Sequence, residues 1–291
     1  MPAAKSIDAE TNFPTARPSA AAIDGIRVGV GGWTFAPWRD NFFPRGLPQR
    51  LELEFASRHL NAIEINGPVH REQSAAVYAN WRQRTPERFV FSVKAPKRIV
   101  EARALAANGP AIARFLQGIV ALEDRLGPIL WQLGPYRKYD ADDFAGFLDA
   151  LPATVAGVPI RHALEVRQAS FANADVVKLL RERGVALVYT DSAEYPNIAE
   201  DTAGFAYARL RRARDALPDG YTDAELDAWA ARARTWAAGD VPADLPQLAP
   251  VTTKRDQISA RRDVFIYFIN ADKQRNPASA LALLRRLGAT A

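Results

Sequence analysis

The chain has 291 residues, no cysteine, three histidines and a formal net charge of +5. A 48% hydrophobic share against 24% charged residues describes a globular chain with a full core, not a fibrous or disordered one. Without cysteine there is no disulfide, thiolate metal site or cysteine nucleophile, which fits a reducing, cytoplasmic setting. No apolar run reaches the roughly 20 residues of a membrane span, so no membrane partner is expected. The basic excess is mostly arginine; it suits anionic ligands but does not form a polybasic arm.

Residues 1–24 carry Lys5, Pro14, Arg17 and Pro18 without a sustained apolar core, and read as a flexible leader rather than a signal peptide. Residues 26–32, IRVGVGG, form a first apolar strand ending in glycines. An aromatic, proline-broken loop follows with Trp33, Phe35, Trp38 and Phe43, able to stack on a sugar or base or to plug a mouth. A helix is expected over 51–59, with Leu51, Phe55 and Leu60 on its buried side. The second strand, 61–66, ends with Glu64 and Asn66 on one face. A helix over 72–84 leads to the third strand, 88–94, which ends in Lys94.

Residues 111–125 give an amphipathic helix with Ile112, Phe115, Leu116, Ile119 and Leu122 in one stripe, stopped by Gly127-Pro128. The fourth strand, 129–133, holds Gln132 inside an apolar run, and a helix is expected over 142–151. In the fifth, RHALEVRQASF over 161–171, alternation puts Glu165 and Arg167 on one face and Val166 on the other. Asn173 caps a helix to Arg183 that Gly184 ends. Sixth and seventh strands follow at 185–191, ending in Asp191, and at 205–210, with Arg209 near its end. Thr222 and Glu225 make a capping box for a helix to Trp236. Residues 239–262 read as a loop insertion, 263–270 as the eighth strand, ending in Asn270, and 277–287 as a last helix with Asn276 as N-cap and Pro277 first.

Strand and helix alternate about eight times, which predicts a single-domain α/β fold, a TIM-like (β/α)8 barrel, over 25–291. No Gly-x-Gly-x-x-Gly turn supports the open doubly wound alternative. In such a barrel the strand ends meet in one cup. Here they bring Trp33, Glu64, Asn66, Lys94, Gln132, Glu165, Arg167, Asp191, Arg209 and Asn270. Glu165, Asp191, Glu64 and Lys94 are the candidates for acid/base or nucleophilic roles, and Lys94 is expected to pair with a carboxylate or touch an anion rather than form imines. Trp33, Asn66, Gln132, Arg167, Arg209 and Asn270 are the candidates for binding substrate. The carboxylates with Asn66 or Gln132 have the oxygen chemistry of a divalent-cation site, but Arg167, Arg209 and Lys94 can neutralise them instead; no metal or other cofactor is expected. Arg211, Arg212, Arg214, Lys273 and Arg275 lie where barrels often seat a phosphate.

The ordered pieces VGVGGWTFAPWRDNFFP, AIEIN, FVFSVK, GPILWQL, LEVRQASF, ALVYTD, YARL and IYFIN resemble the DUF72 family, the YecE-like proteins, from about Ile26 to the C-terminus. The resemblance implies a TIM-like barrel but no reaction, since the family has no established general activity. Three rim positions depart from the family pattern. Gly67-Pro68-Val69-His70 stands for a Phe-Tyr turn, Gln168 and Phe171 for a His and a later Trp, and Arg211-Arg212 for a His-Gly pair. The leading expectation is an enzyme, of hydrolase or lyase type, acting on a small anionic, phosphate- or sugar-like metabolite. Nucleic-acid binding on the same face is the second reading, and a non-catalytic scaffold barrel the third.

Overall fold

The computed structural model describes residues 25–66, 72–248, 261–270 and 273–288. The predicted leader, the turn at 67–70 and residues 249–260 of the predicted insertion lie outside them. Nine strand segments form one parallel sheet: β1 Ile26–Gly31, β2 Ala62–Ile65, β3 Val90–Lys94, β4 Leu126–Gln132, β5 His162–Glu165, β6 Ala186–Leu187, β7 Tyr189–Thr190, β8 Phe205–Leu210 and β9 Asp263–Phe268. Their order is β6-β5-β4-β3-β2-β1-β9-β8-β7. The two end segments are consecutive pieces of one stretch, interrupted at Val188. β6 pairs with β5 and β7 with β8, so the sheet all but closes into an eight-membered ring. This is the expected barrel, with the predicted sixth strand broken because each half serves a different neighbour.

Among the described residues eight α-helices accompany the strands: α1 Glu52–His59, α2 Ala75–Gln83, α3 Lys97–Val100, α4 Gly109–Ile119, α5 Ala141–Asp149, α6 Ala174–Arg183, α7 Asp223–Ala237 and α8 Asn276–Leu287. Asn173, Gly184 and the Thr222–Glu225 capping box end their helices as expected. Four local expectations are corrected. The stripe ending at Leu122 is α4 followed by a 3-10 turn, Val120–Arg125. Gly127 and Pro128 do not stop a helix but lie inside β4, at a register shift against β3 where a bulge tolerates a residue without an N–H. α1 buries Leu53 and Ala56 rather than Leu51 and Phe55, and buries Glu52 because Arg39 pairs with it at 3.0 Å. Arg275, not Asn276, is the N-cap of α8, which frees the Asn276 side chain to accept from the Asn270 amide at 3.3 Å.

Inside the barrel, β8 and β9 supply Phe205, Tyr207, Phe265 and Tyr267, while β2, β5 and β6 supply Ala62, Ala163 and Ala186. Small residues face large ones, so the interior fills to one side. At the N-terminal end, Arg161 pairs with Asp263 at 2.6 Å and lies 4.8 Å from the Phe265 ring centre, closing that face. Gly29 is opposite Ala62, whose carbonyl oxygen would lie 2.0 Å from any Cβ placed there. Gly29→Ala should therefore force β1 and β2 apart at a cost of about 1–3 kcal/mol, read as a lower urea midpoint with an unchanged m-value. Among the described residues no helix is long and apolar enough to cross a membrane.

Candidate functional site

Alternation along each strand decides what enters the barrel. Arg209 is opposite Tyr267, and Glu64 opposite Ser92, across ladders whose interior residues are known from the core. At the C-terminal end this rule raises the charged side chains into one layer. Arg209, 2% exposed, donates from Nε and Nη2 to the two Glu64 carboxylate oxygens at 3.0 Å each. Its Nη1 donates to Glu165 Oε2. Glu165 also accepts from Arg167 Nε at 2.7 Å and from Gln132 Nε2 at 2.9 Å. Tyr207 donates its hydroxyl to Glu64 at 2.7 Å. Each of these buried charges is therefore paired and hydrogen-bonded, as burial requires.

The electrostatics follow from this wiring. Burial pushes the Glu165 carboxyl up, but Arg209 and Arg167 outweigh it and hold the group at about 2. Burial disfavours the Arg209 charge, and Glu165 and Glu64 more than restore it, raising its pKa. Lys94 is opposite Leu130, an interior residue, so it too faces inward. It is half-buried and makes no hydrogen bond or ion pair among the described residues, because Arg209 has taken both neighbouring carboxylates. Burial, with Arg209 close by, pulls its amine down to about 8.

Arg167 and Arg211 both lie against Tyr195, at 4.6 and 5.4 Å from the ring centre. Arg211 also feels Glu165, Arg167 and Arg209, and burial lowers its pKa. Thr190, opposite Arg209, faces the same interior, fully buried with its hydroxyl unpartnered.

Not every predicted residue joins this cluster. Asp191 accepts from the Arg211 backbone N–H and, at 3.3 Å, from the Tyr221 hydroxyl, tying the end of β7 to the segment after β8. Burial pushes its carboxyl up to about 6 against an ordinary 3.8. Its share of stability is thus complete below pH 3.8 and is lost as pH rises through about 6. Asp191→Asn should flatten the denaturation profile between those values relative to wild type, by about 2–3 kcal/mol, and Asp191→Ala should lose about 1–3 kcal/mol below pH 3.8 for its two unmet donors, with a smaller loss above pH 6.

The Asn270 side-chain amide donates to the Ala213 carbonyl at 2.8 Å, joining the segment after β9 to the one after β8. Asn66 is half-buried, its amide 3.4 Å from the Glu64 carbonyl. Trp33 stands edge-on to Trp81 at 4.9 Å. Of the other loop aromatics, Trp38 and Phe43 are buried and Phe35 is half-buried. The basic rim is largely committed as well. Arg212 donates to the Ser192 carbonyl, Arg214 pairs with Glu225 and Arg275 donates to the Asp215 carbonyl. Among the described residues no three His, Asp or Glu side chains converge where a metal ion could be held. A small cavity between Ala186, Tyr207, Trp236 and Arg262 touches none of Glu64, Lys94, Glu165 or Arg209.

Tyr207 and Thr190 have no place among the expected site residues, and Arg211 is expected only on the basic rim. Counting by twos from Phe205 reaches Tyr207, Arg209 and Arg211, so Tyr207 and the inward direction of Arg211 were recoverable. Tyr195 sits in a loop with no periodic signal.

A parallel α/β barrel with an ionic cluster at its C-terminal mouth is the class that fold and site define. The chain belongs to the DUF72 family, described as "Protein of unknown function DUF72", whose model matches residues 27–291. The "UPF0759 protein YecE" of Escherichia coli K12 is 27% identical over 169 residues, which are 57% of this chain and 59% of that relative. The chain thus aligns with less than two thirds of the relative's length. A DUF72 family protein from Thermotoga maritima superposes with a TM-score of 0.63 at 18% identity, covering 90% of this chain and 97% of its own. One from Enterococcus faecalis gives 0.63 at 15% identity, covering 90% and 94%. At such identities the likeness is one of fold.

Proposed function

We propose that the barrel mouth binds a small anionic metabolite and that the chain is an enzyme acting on it by proton transfer, with Lys94 as the acid/base group. One observation carries this reading. Four cations, Lys94, Arg167, Arg209 and Arg211, converge on two carboxylates, Glu64 and Glu165. Unbalanced charge in a desolvated site is costly unless something neutralises it, and an anion would do so. Glu64 and Glu165 then serve to hold Arg209, while Arg167 and Arg211 face the ligand with Asn66, Gln132 and Trp33 around it. Asp191 lies behind Arg211, its carboxylate accepting the Arg211 backbone N–H and its backbone carbonyl accepting from Arg212. The cysteine-free composition fits a cytoplasmic setting. Nucleic-acid binding draws less support, since Arg212, Arg214 and Arg275 are spent on protein acceptors.

Inorganic phosphate, sulfate and small carboxylates tested by thermal shift should raise the melting temperature. A hundredfold excess over Kd is worth about 2.7 kcal/mol. Arg211→Ala should weaken the effect about tenfold or more, and Arg214→Ala should leave it unchanged. The proposal fails if none of these anions stabilises the protein at low salt.

A further inference from the structure

The anion site holds an amine that no carboxylate among the described residues neutralises. A lysine at a barrel mouth ordinarily ends in an ion pair, and Lys94 does not, although two carboxylates lie near enough to influence it. Arg209 bridges those carboxylates and blocks the pairing. The result is an amine held on the inward face, half-buried, with cations as close neighbours and Arg167 and Arg211 in the same layer.

We propose that Lys94 is a covalent attachment point: its Nζ condenses with the carbonyl carbon of a small aldehyde or ketone whose carboxylate or phosphate rests on Arg167 and Arg211. This rests on the anion-site reading, replaces proton transfer by Lys94 with covalent attachment, and names the substrate class. In the step, the free amine lone pair adds to the carbonyl carbon and an N–H proton passes to the carbonyl oxygen, giving a carbinolamine. Loss of that oxygen as water leaves a protonated C=N bond. Overall, a lysine ammonium and a carbonyl give an iminium and water, with no oxidant or reductant. The electron-withdrawing iminium then favours loss of a proton or a carbon group from the adjacent carbon.

The surroundings favour this chemistry over simple ion pairing. An amine titrating at about 8 is roughly one tenth free base at neutral pH, where an ordinary lysine has almost none. The nearby arginines also fix which end of the ligand enters first, so the carbonyl rather than the acid group is presented to Lys94.

The test is reductive trapping on the full chain with pyruvate, glyoxylate and dihydroxyacetone phosphate, followed by peptide mass mapping. Borohydride should fix a secondary amine on Lys94 in preference to the exposed Lys97 and Lys178, each of which pairs with a glutamate one turn on. Trapping should rise with pH through about 8, vanish in Lys94→Arg and Lys94→Met, and fall about tenfold in Arg211→Ala. Lys94→Arg keeps the charge, so retained anion binding there shows that the fold and the anion site survive. Equal labelling of all lysines, or none, while these anions still bind, overturns the imine and spares the anion site. Absence of binding by every anion overturns both.

Discussion

Replacing Arg209 with methionine is expected to cost about 3–5 kcal/mol, or to prevent folding, because it strands two carboxylates inside the barrel. Glu64 and Glu165 are both fully buried, and Arg209 is the one cation in contact with both of them among the described residues. The penalty is the desolvation of unpaired charge more than the loss of attraction. It follows that the triple variant Arg209→Met, Glu64→Gln, Glu165→Gln should recover much of the loss. Urea melts of the single and triple variants check this, and a single variant within about 1 kcal/mol of wild type would show that the cluster is already neutralised some other way.

The same cluster sets an acid response. The folded Glu165 carboxyl sits at about 2 against an ordinary 4.5. Its stabilisation is thus fully present above about pH 4.5 and is lost as pH falls towards 2, an effect of about 3 kcal/mol. Without Arg209 the folded value rises towards the ordinary one, so an Arg209→Met protein should lose less stability than wild type as pH falls from 4.5 to 2.

Trp38→Ala should be comparably damaging, at about 3–5 kcal/mol. The ring is fully buried against Phe35, Phe42 and Phe43, with centroids 5.7, 6.0 and 6.2 Å away. Its Nε1 donates to the Lys273 carbonyl at 2.8 Å, pinning the first loop to the last. Lys273 has a φ of 59°, a strained value for a residue with a Cβ, so that loop needs holding. Trp38→Phe keeps most of the packing and loses the N–H, and should fall between. A Trp38→Ala protein that kept its stability but lost anion binding would restore the ligand-platform reading of this loop.

Much of the fold was legible because its signals are local. Apolar strands of period two, amphipathic helices and the caps Asn173, Gly184 and Thr222 each depend on a few neighbouring residues. Where a longer-range fit intervened, the local reading slipped. Pro128 sits in a strand because a bulge against β3 admits it, and the sixth strand breaks because its halves answer to different partners. Asn276 looked like a cap and instead accepts from Asn270 across a loop.

For the site, alternation alone put Glu165 beside Arg167 and raised Glu64, Lys94 and Arg209 to strand ends. Which charge pairs with which was beyond it. Arg209 reaches Glu64 across 145 residues of sequence and Glu165 across 44, and only closure of the ring brings those three together. Once Arg209 holds both carboxylates, Lys94 is left without a partner. Competition for a counter-charge is settled by distances in three dimensions, so the sequence supplied the cast of charged groups and the closed barrel decided which amine stayed free.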